Sequence, residues 1–226
     1  MFDLGRLGAW RALPFFETNL PQIEAQLASE TQAVFPPSRQ VFAALERVQP
    51  DDVRVVILGQ DPYPTFGHAH GFAFSADGQT QPLPRSLANI FREMQDDLGA
   101  QPPNADLRFW ADQGVLLLNT ILTVPEGTAK GHAKLGWQNL TAQVLERLSD
   151  SPRCYLLWGK DAHKAAADVD PTANFKLHSS HPSPLGVTKS GATFESFRGS
   201  RPFSRSNAWL RSRGHQSINW SDPEAL

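Results

Sequence analysis

The chain has 226 residues, a length that fits one domain or at most two small ones. Its 21 Lys and Arg against 23 Asp and Glu give a formal net charge of −2, which argues against indiscriminate nucleic-acid binding but allows a local basic patch. The one cysteine, Cys154, excludes a disulfide framework and fits a reducing compartment, so we expect a cytoplasmic protein. We find no signal-peptide pattern and no apolar run near the roughly 18 residues that span a membrane.

In chain order, short helices come first and strands follow. Residues 1–50 predict a helical N-terminal cap, with helical spacing of apolar side chains over residues 20–33 and 41–48. Residues 53–58 form an apolar, β-branched run typical of a strand buried on both faces. Three more strands and four helices alternate after it: strands at 115–118, 153–158 and 175–178, and helices at 86–98, 107–113, 138–148 and 161–169. This alternation predicts an α/β fold, with residues 1–226 as a single domain around a central four-stranded parallel sheet flanked by helices.

Polar side chains follow three of these strands. Gln60, Asp61 and Tyr63 come directly after the first strand, Asn119 ends the second, and His181 follows the fourth. In open α/β sheets, ligands bind outside the carboxyl ends of the strands, so these residues are candidates for one site. The alternatives are structural: a proline-containing turn after the first strand, and an asparagine that only ties a turn.

Other features of the chain allow two interpretations each. His68 and His70 form a surface pair, and we reject a metal site there because no Cys or carboxylate ligands stand at a recognisable spacing. Of Phe72 and Phe74, we expect one in the core and the other stacked on a flat ligand. Ser86 begins a helix, where an N-cap is the better-supported role and a phosphate contact the alternative.

Residues 198–213 hold five arginines and no acidic residue, which makes a basic patch on an acidic chain. A solvated helix face explains this patch about as well as contact with phosphate does. The position of the patch just after the segment HPSPL, residues 181–185, favours phosphate contact. We expect Arg205 to be among the residues that make it.

Several segments together resemble the uracil-DNA glycosylases of family 1. They are GQDPYP at 59–64, GFAFS at 71–75, the proline-rich loop 82–86, LLLNT at 116–120, Trp158-Gly159 and HPSPL at 181–185. Their order and spacing, over roughly residues 40–220, make the match specific. The chain departs from the family pattern at Pro64, Lys160 and Gly186, and the stretch 186–200 is a few residues longer than usual.

The resemblance implies an enzyme that flips uracil out of single- or double-stranded DNA and hydrolyses its N-glycosidic bond in base excision repair. Catalytic roles fall to Asp61 and His181, and contact with the base falls to Gln60, Tyr63, Phe74 and Asn119. The residues that it assigns to contact with DNA are Pro84, Ser86, Ser183 and Leu185, the last as a wedge that fills the vacated stack. Without the resemblance, a loop leucine folded back onto the core is the alternative for Leu185.

The resemblance further implies no metal and no organic cofactor. The expected partners are uracil-containing DNA and a uracil-glycosylase inhibitor protein that mimics DNA, with no membrane, and we expect a monomer. Two rival functions stay open from the sequence: a non-catalytic DNA- or nucleotide-binding module, and a related glycosylase that acts on other bases. Tyr63 and Asn119 favour strict choice of uracil.

Overall fold

A computed structural model describes residues 2–225 of the chain. Its helices of at least one α-turn are α1 (Phe15–Thr18), α2 (Leu20–Ala28), α3 (Ala43–Arg47), α4 (Arg85–Leu98), α5 (Arg108–Ala111), α6 (Gln138–Arg147), α7 (Lys160–Ala165) and α8 (Pro202–Ser212). Its strands are β1 (Val34–Phe35), β2 (Val55–Gly59), β3 (Val115–Asn119), β4 (Val124–Pro125), β5 (Cys154–Trp158) and β6 (Phe175–Ser179). Within residues 2–225, none of the helices combines the length and apolar character needed to cross a bilayer.

The main sheet confirms the predicted fold class. Four parallel strands lie in the order β3-β2-β5-β6, and β2 pairs with β3 along its length, from Val55 opposite Val115 to Gly59 opposite Asn119. All residues of β2, β3 and β5 are buried, as their unbroken apolar sequences predict, because helices cover both faces. The chain runs from β2 to β3 on one side and then returns to β5 on the other side of β2. This reversal opens a crevice at the carboxyl ends of the strands.

Some element boundaries differ from the sequence-based expectation. The helix predicted over residues 20–33 ends at Ala28, and Val34–Phe35 instead pairs with β4 in a small antiparallel sheet. The helix predicted over residues 161–169 spans only Lys160–Ala165. Both predictions rested on local helix propensity, which tertiary context overrides, as it does where the chain after Ala28 enters the small antiparallel sheet.

The stretch 186–200 lies along the free edge of β6. Gly191 and Phe194 pair in a tight turn, and Glu195 forms a parallel bridge with Ser179. The Glu195 amide donates to the carbonyl oxygen of His178, and its carbonyl accepts from the Ser180 amide. Residues of this stretch therefore pair backbone groups that an edge strand would otherwise leave to solvent.

Candidate active site

A cavity of about 160 Å³ opens at the carboxyl edge of the sheet. It brings together the six residues predicted to act on the base or the bond, and one of those predicted to contact DNA: Gln60, Asp61, Tyr63, Phe74, Asn119, His181 and Ser86. These side chains come from loops that follow β2, β3 and β6 and from the start of α4. The sheet order brings the loops together, because the carboxyl ends of parallel strands share one edge.

The Asp61 carboxylate is held at both oxygens. Gln60 Nε2 donates to Oδ1 at 2.7 Å, and the backbone amide of Lys130 donates to Oδ2 at 2.6 Å. The Gln60 carbonyl is fixed in turn by Thr120 Oγ1 at 3.0 Å and the Ile121 amide at 2.9 Å. The carboxylate therefore has a defined orientation, which a group acting on one bond needs.

Sequence reasoning missed Lys130. It lies 69 residues from Asp61 in a connection without a regular pattern. Its backbone has a φ of 60°, a value that residues other than glycine seldom adopt. Its Nζ pairs with the Asp161 carboxylate at 2.8 Å, which ties this connection to α7 across the mouth of the site. No local signal in the sequence points to either contact.

Tyr63 and Phe74 are joined across the cavity wall. The Tyr63 hydroxyl donates to the Phe74 carbonyl oxygen at 2.7 Å. Desolvation raises the pKa of the Tyr63 phenol, so the hydroxyl keeps its proton and its donor role. Phe74 has a φ of 64°, and its ring lies 5.2 Å from that of Trp158 and 5.8 Å from that of His181, centroid to centroid. Both Phe72 and Phe74 line the cavity, although we expected one of them in the core alone.

Asn119 presents a side-chain amide to the cavity while only 7% of the residue is exposed. Within residues 2–225, no group hydrogen-bonds to this amide; its backbone carbonyl alone accepts, from Thr141 Oγ1. Gly59 lies opposite in the sheet, and a Cβ there would overlap Asn119 Oδ1. A buried amide with unused donors and acceptor favours ligand recognition over the turn-forming alternative.

His181 has a defined tautomer in this structure. The Ser183 amide donates to His181 Nδ1 at 3.0 Å, so in the neutral ring the proton is on Nε2. Burial lowers the pKa of His181, against the opposing effect of the Asp161 and Asp61 carboxylates. Gly159, with a φ of 98°, passes so close that an added Cβ would lie 2.9 Å from His181 Cβ. The ring is therefore neutral and fixed, with an Nε2 donor.

The expected DNA contacts occupy different environments. Leu185 is 84% exposed, so the alternative of a leucine folded onto the core is wrong. Ser86 is not the N-cap of α4, because Pro84 occupies that position in an extended conformation and no side chain caps the helix. The Ser86 side chain instead lies at the cavity. Arg205 pairs with the Glu195 carboxylate at 2.6 Å and donates to the Ser200 carbonyl at 2.9 Å.

His68 and His70, which we expected to form a surface pair, differ in exposure. His70 is buried, and its Nε2 lies 2.9 Å from Ser75 Oγ, whereas His68 is partly exposed. Burial lowers the pKa of His70. In the described part of the chain, no group of three or more His, Cys, Asp or Glu side chains is arranged to bind a metal ion.

Comparisons with known proteins identify the family of the chain. The family model of the uracil DNA glycosylase superfamily matches residues 46–211. A uracil-DNA glycosylase of Ruegeria sp. (strain TM1040) is 54% identical over 217 residues, covering 96% of this chain and 90% of the relative. One of Bacillus subtilis (strain 168) is 41% identical over 210 residues, covering 92% and 89%. The crystal structure of mimivirus uracil-DNA glycosylase superposes with a TM-score of 0.87 at 29% identity, covering 98% of this chain and 88% of that one. The chain therefore belongs to the uracil DNA glycosylase superfamily.

Proposed function

We propose that the chain excises uracil from DNA by hydrolysing the bond between the base and the sugar, which leaves an abasic site for base excision repair. The observation that carries the proposal is the unpartnered Asn119 amide, which shares one cavity with the Asp61 carboxylate and the His181 ring. The cavity walls are aromatic and proline side chains, which suit a flat base. A base reaches such a cavity only when it leaves the stack.

Recognition of the base rests on Asn119. Its amide NH₂ would donate to uracil O4 and its Oδ1 would accept from N3–H. Cytosine presents the reverse pattern at these two atoms, so an amide held in one orientation leaves unpaired polar groups against it. Tyr63 would lie against C5 of the base, where thymine carries a methyl group. The hydrogen bond from Tyr63 to Phe74 stiffens this wall, and Phe74 supplies the stacking face.

Bond cleavage separates an oxocarbenium-like sugar from a uracil anion. The Asp61 carboxylate, oriented by Gln60 and the Lys130 amide, would stabilise the sugar cation and orient the attacking water. The Nε2–H of His181 would donate to uracil O2 as negative charge develops there. Gln60 would help to hold O2 through its backbone. These roles need water as the only co-reactant.

Contact with DNA would come from loops around the cavity mouth. Leu185 would enter the duplex where the uracil has left, which explains why an apolar side chain stands in water. Pro84, Ser86 and Ser183 would hold the backbone on either side. Arg205 would reach phosphate only by exchanging its pairing with Glu195, so we expect from it a smaller contribution than from the loops.

The remaining proposals concern an inhibitor protein, the domain organisation, the oligomeric state and the location of the chain. Mimivirus UNG variants have been solved in complex with UGI, and by analogy we propose that an inhibitor protein that mimics DNA covers the same face here. One hydrophobic cluster includes Leu7 and Trp220, which supports a single domain over residues 1–226. We also propose a monomer located in the cytoplasm.

Release of uracil from a synthetic duplex tests the proposal. We expect release by the unaltered chain and a loss of several orders of magnitude in Asp61→Asn, with DNA binding retained. Asp168→Asn is the matched control, because that exposed carboxyl follows α7 away from the site and makes no hydrogen bond to any residue from 2 to 225. Equal turnover by Asp61→Asn and Asp168→Asn would remove Asp61 from the mechanism. Duplexes that carry other altered bases separate strict uracil choice from a broader glycosylase.

A further inference from the structure

A second hollow, of about 370 Å³, lies on the other side of the loop 181–185 from the active site. Arg85 and Arg92 of α4 reach it from one side, and Arg198 reaches it from the segment before α8. Pro184 of that loop lines the hollow, together with Val187 and Thr188 just after the loop. All three arginine residues are exposed, so the hollow opens to solvent.

Among the residues that the structure describes, no carboxylate pairs with these three guanidinium groups. Over the described range 2–225, the ion pairs involve other arginines, and the side chains of Arg85 and Arg198 make no hydrogen bond to the protein. Arg92 Nη1 donates only to the neutral Asn89 Oδ1, at 3.2 Å. Like charges around one hollow repel each other, and an acidic chain offers carboxylates that would relieve the repulsion. The cluster therefore has donors available for an anion from outside the chain.

Two carboxylates of α4, those of Glu93 and Asp97, accept hydrogen bonds from the start of α8 and the segment that leads into it. Glu93 accepts from the backbone amides of Gly199 and Arg201, at 2.7 and 2.9 Å. Asp97 accepts from the amide of Ser204 at 2.9 Å, one of its contacts with the start of α8. These contacts fix the segment that carries Arg198 against the helix that carries Arg85 and Arg92. The backbone positions of the three arginines are therefore set by the fold.

The hollow is also fixed relative to the active site. Asn89 is buried, and its Nδ2 donates to the Pro182 carbonyl oxygen at 2.7 Å, one residue from His181. The same amide accepts from Arg92, so one side chain links the cation cluster to the loop that presents Leu185. A nucleic acid strand that delivers a base to the cavity passes this loop. Its backbone would then run beside the arginines.

We propose that Arg85, Arg92 and Arg198 form a binding site for a DNA backbone phosphate outside the nucleotide that enters the active site. Guanidinium groups match the oxygens of a phosphate through paired, charge-assisted hydrogen bonds. The proposal rests on the proposed function, because uracil-containing DNA supplies the phosphate. It also divides the basic patch of residues 198–213: Arg198 faces DNA, whereas Arg205 is tied to Glu195.

The test measures the salt dependence of DNA binding. In an Asp61→Asn background, which leaves the substrate intact, binding of a uracil-containing duplex is measured by fluorescence anisotropy over a range of NaCl concentrations. The triple variant Arg85→Gln, Arg92→Gln, Arg198→Gln should bind roughly tenfold more weakly at low salt. The slope of log K against log [NaCl] should become shallower by about 0.9, the value for one phosphate contact on duplex DNA. The triple variant with lysine at the same positions should keep the parent slope.

Arg213→Gln is the matched control. It removes one arginine charge, as each single glutamine variant does. Arg213 lies over the ring of Trp209, which stacks on Phe175 at the amino end of β6 and so at the opposite edge of the sheet. The proposed site is overturned if the glutamine triple variant keeps the parent slope of log K against log [NaCl]. It is also overturned if Arg213→Gln changes that slope as much as the triple variant does. The single glutamine variants decide the question if the triple variant does not fold. Uracil release by the chain with Asp61 intact is measured in parallel. If uracil is released but the salt slope of the triple variant is unchanged, only the phosphate site is overturned. If no uracil is released, the proposed function is overturned as well.

Discussion

Tyr63→Phe tests how the wall of the uracil cavity is held. The change removes one oxygen atom and keeps the ring, so the only interaction lost is the hydrogen bond from the Tyr63 hydroxyl to the Phe74 carbonyl, 2.7 Å long. That bond fixes Phe74 at a φ of 64°, a conformation that costs a non-glycine residue about 1–3 kcal/mol and persists only where the surroundings impose it.

The expected loss of stability follows from this geometry. A buried acceptor that loses its partner costs about 1–3 kcal/mol. For a chain of this size that loss lowers the Tm by roughly 2–12 °C, at about 2–4 °C per kcal/mol. Uracil excision should persist, because the ring still lies against C5 of the base. Discrimination against thymine should weaken, because the wall and the stacking face are no longer joined.

Urea unfolding and paired kcat/KM measurements on uracil and thymine duplexes check these expectations. Tyr155→Phe is the matched control, because Tyr155 is the other tyrosine of the chain and its hydroxyl makes no hydrogen bond within residues 2–225. We expect the control to change the free energy of unfolding by less than about 0.5 kcal/mol. If the two variants unfold alike and discriminate alike, the bond between Tyr63 and Phe74 does not stabilise the wall.

The remaining predictions concern His181, Leu185 and Gly59. Burial lowers the pKa of His181 from its ordinary 6.5, so kcat should stay level as the pH falls to about 6.5 and decline only below it; an acid limb in kcat above that value contradicts a neutral ring. Because this pKa is lower in the folded chain, the unfolded chain binds the His181 proton first as the pH falls. The free energy of unfolding should therefore decrease below pH 6.5, and His181→Gln should abolish this part of the decrease in urea unfolding. Leu185→Ala should leave stability within about 0.5 kcal/mol, since the side chain is 84% exposed, and should slow excision from duplex more than from single strands; equal slowing of both would argue against a wedge. Gly59→Ala should displace the Asn119 amide, with a cost of about 1–3 kcal/mol in urea unfolding and a loss of uracil excision, whereas wild-type excision would show that the amide does not read the base.

The strands and the site loops were predictable because their signals are local. The apolar runs that became β2, β3 and β5 are buried along their whole length, and such runs occur only where both faces of a sheet are covered. Once the strands were placed, the polar residues after them had to meet at one edge. The convergence of Asp61, Asn119 and His181 on one cavity follows from that rule and from the sheet order.

The features that were not predictable depend on contacts between distant parts of the chain. The Lys130 amide reaches Asp61 across 69 residues, and a backbone donor leaves no mark in the sequence. The pairing of Arg205 with Glu195 depends on where an irregular stretch lies along the edge of β6. Ser86 looked like an N-cap from composition, but Pro84 adopts the extended backbone that begins the helix. Tertiary structure sets the Lys130 contact and the Arg205 pair, whereas the local backbone sets the cap position of α4.

The most direct test of the account is a crystal structure of Asp61→Asn bound to a duplex that contains one uracil. We predict that the uracil lies in the cavity at the carboxyl ends of β2 and β3, with the Asn119 amide within hydrogen-bond distance of O4 and N3 and His181 Nε2 facing O2. Leu185 should fill the gap in the base stack. A uracil that stays stacked in the duplex, or one bound with Asn119 turned away from its edge, would contradict the account.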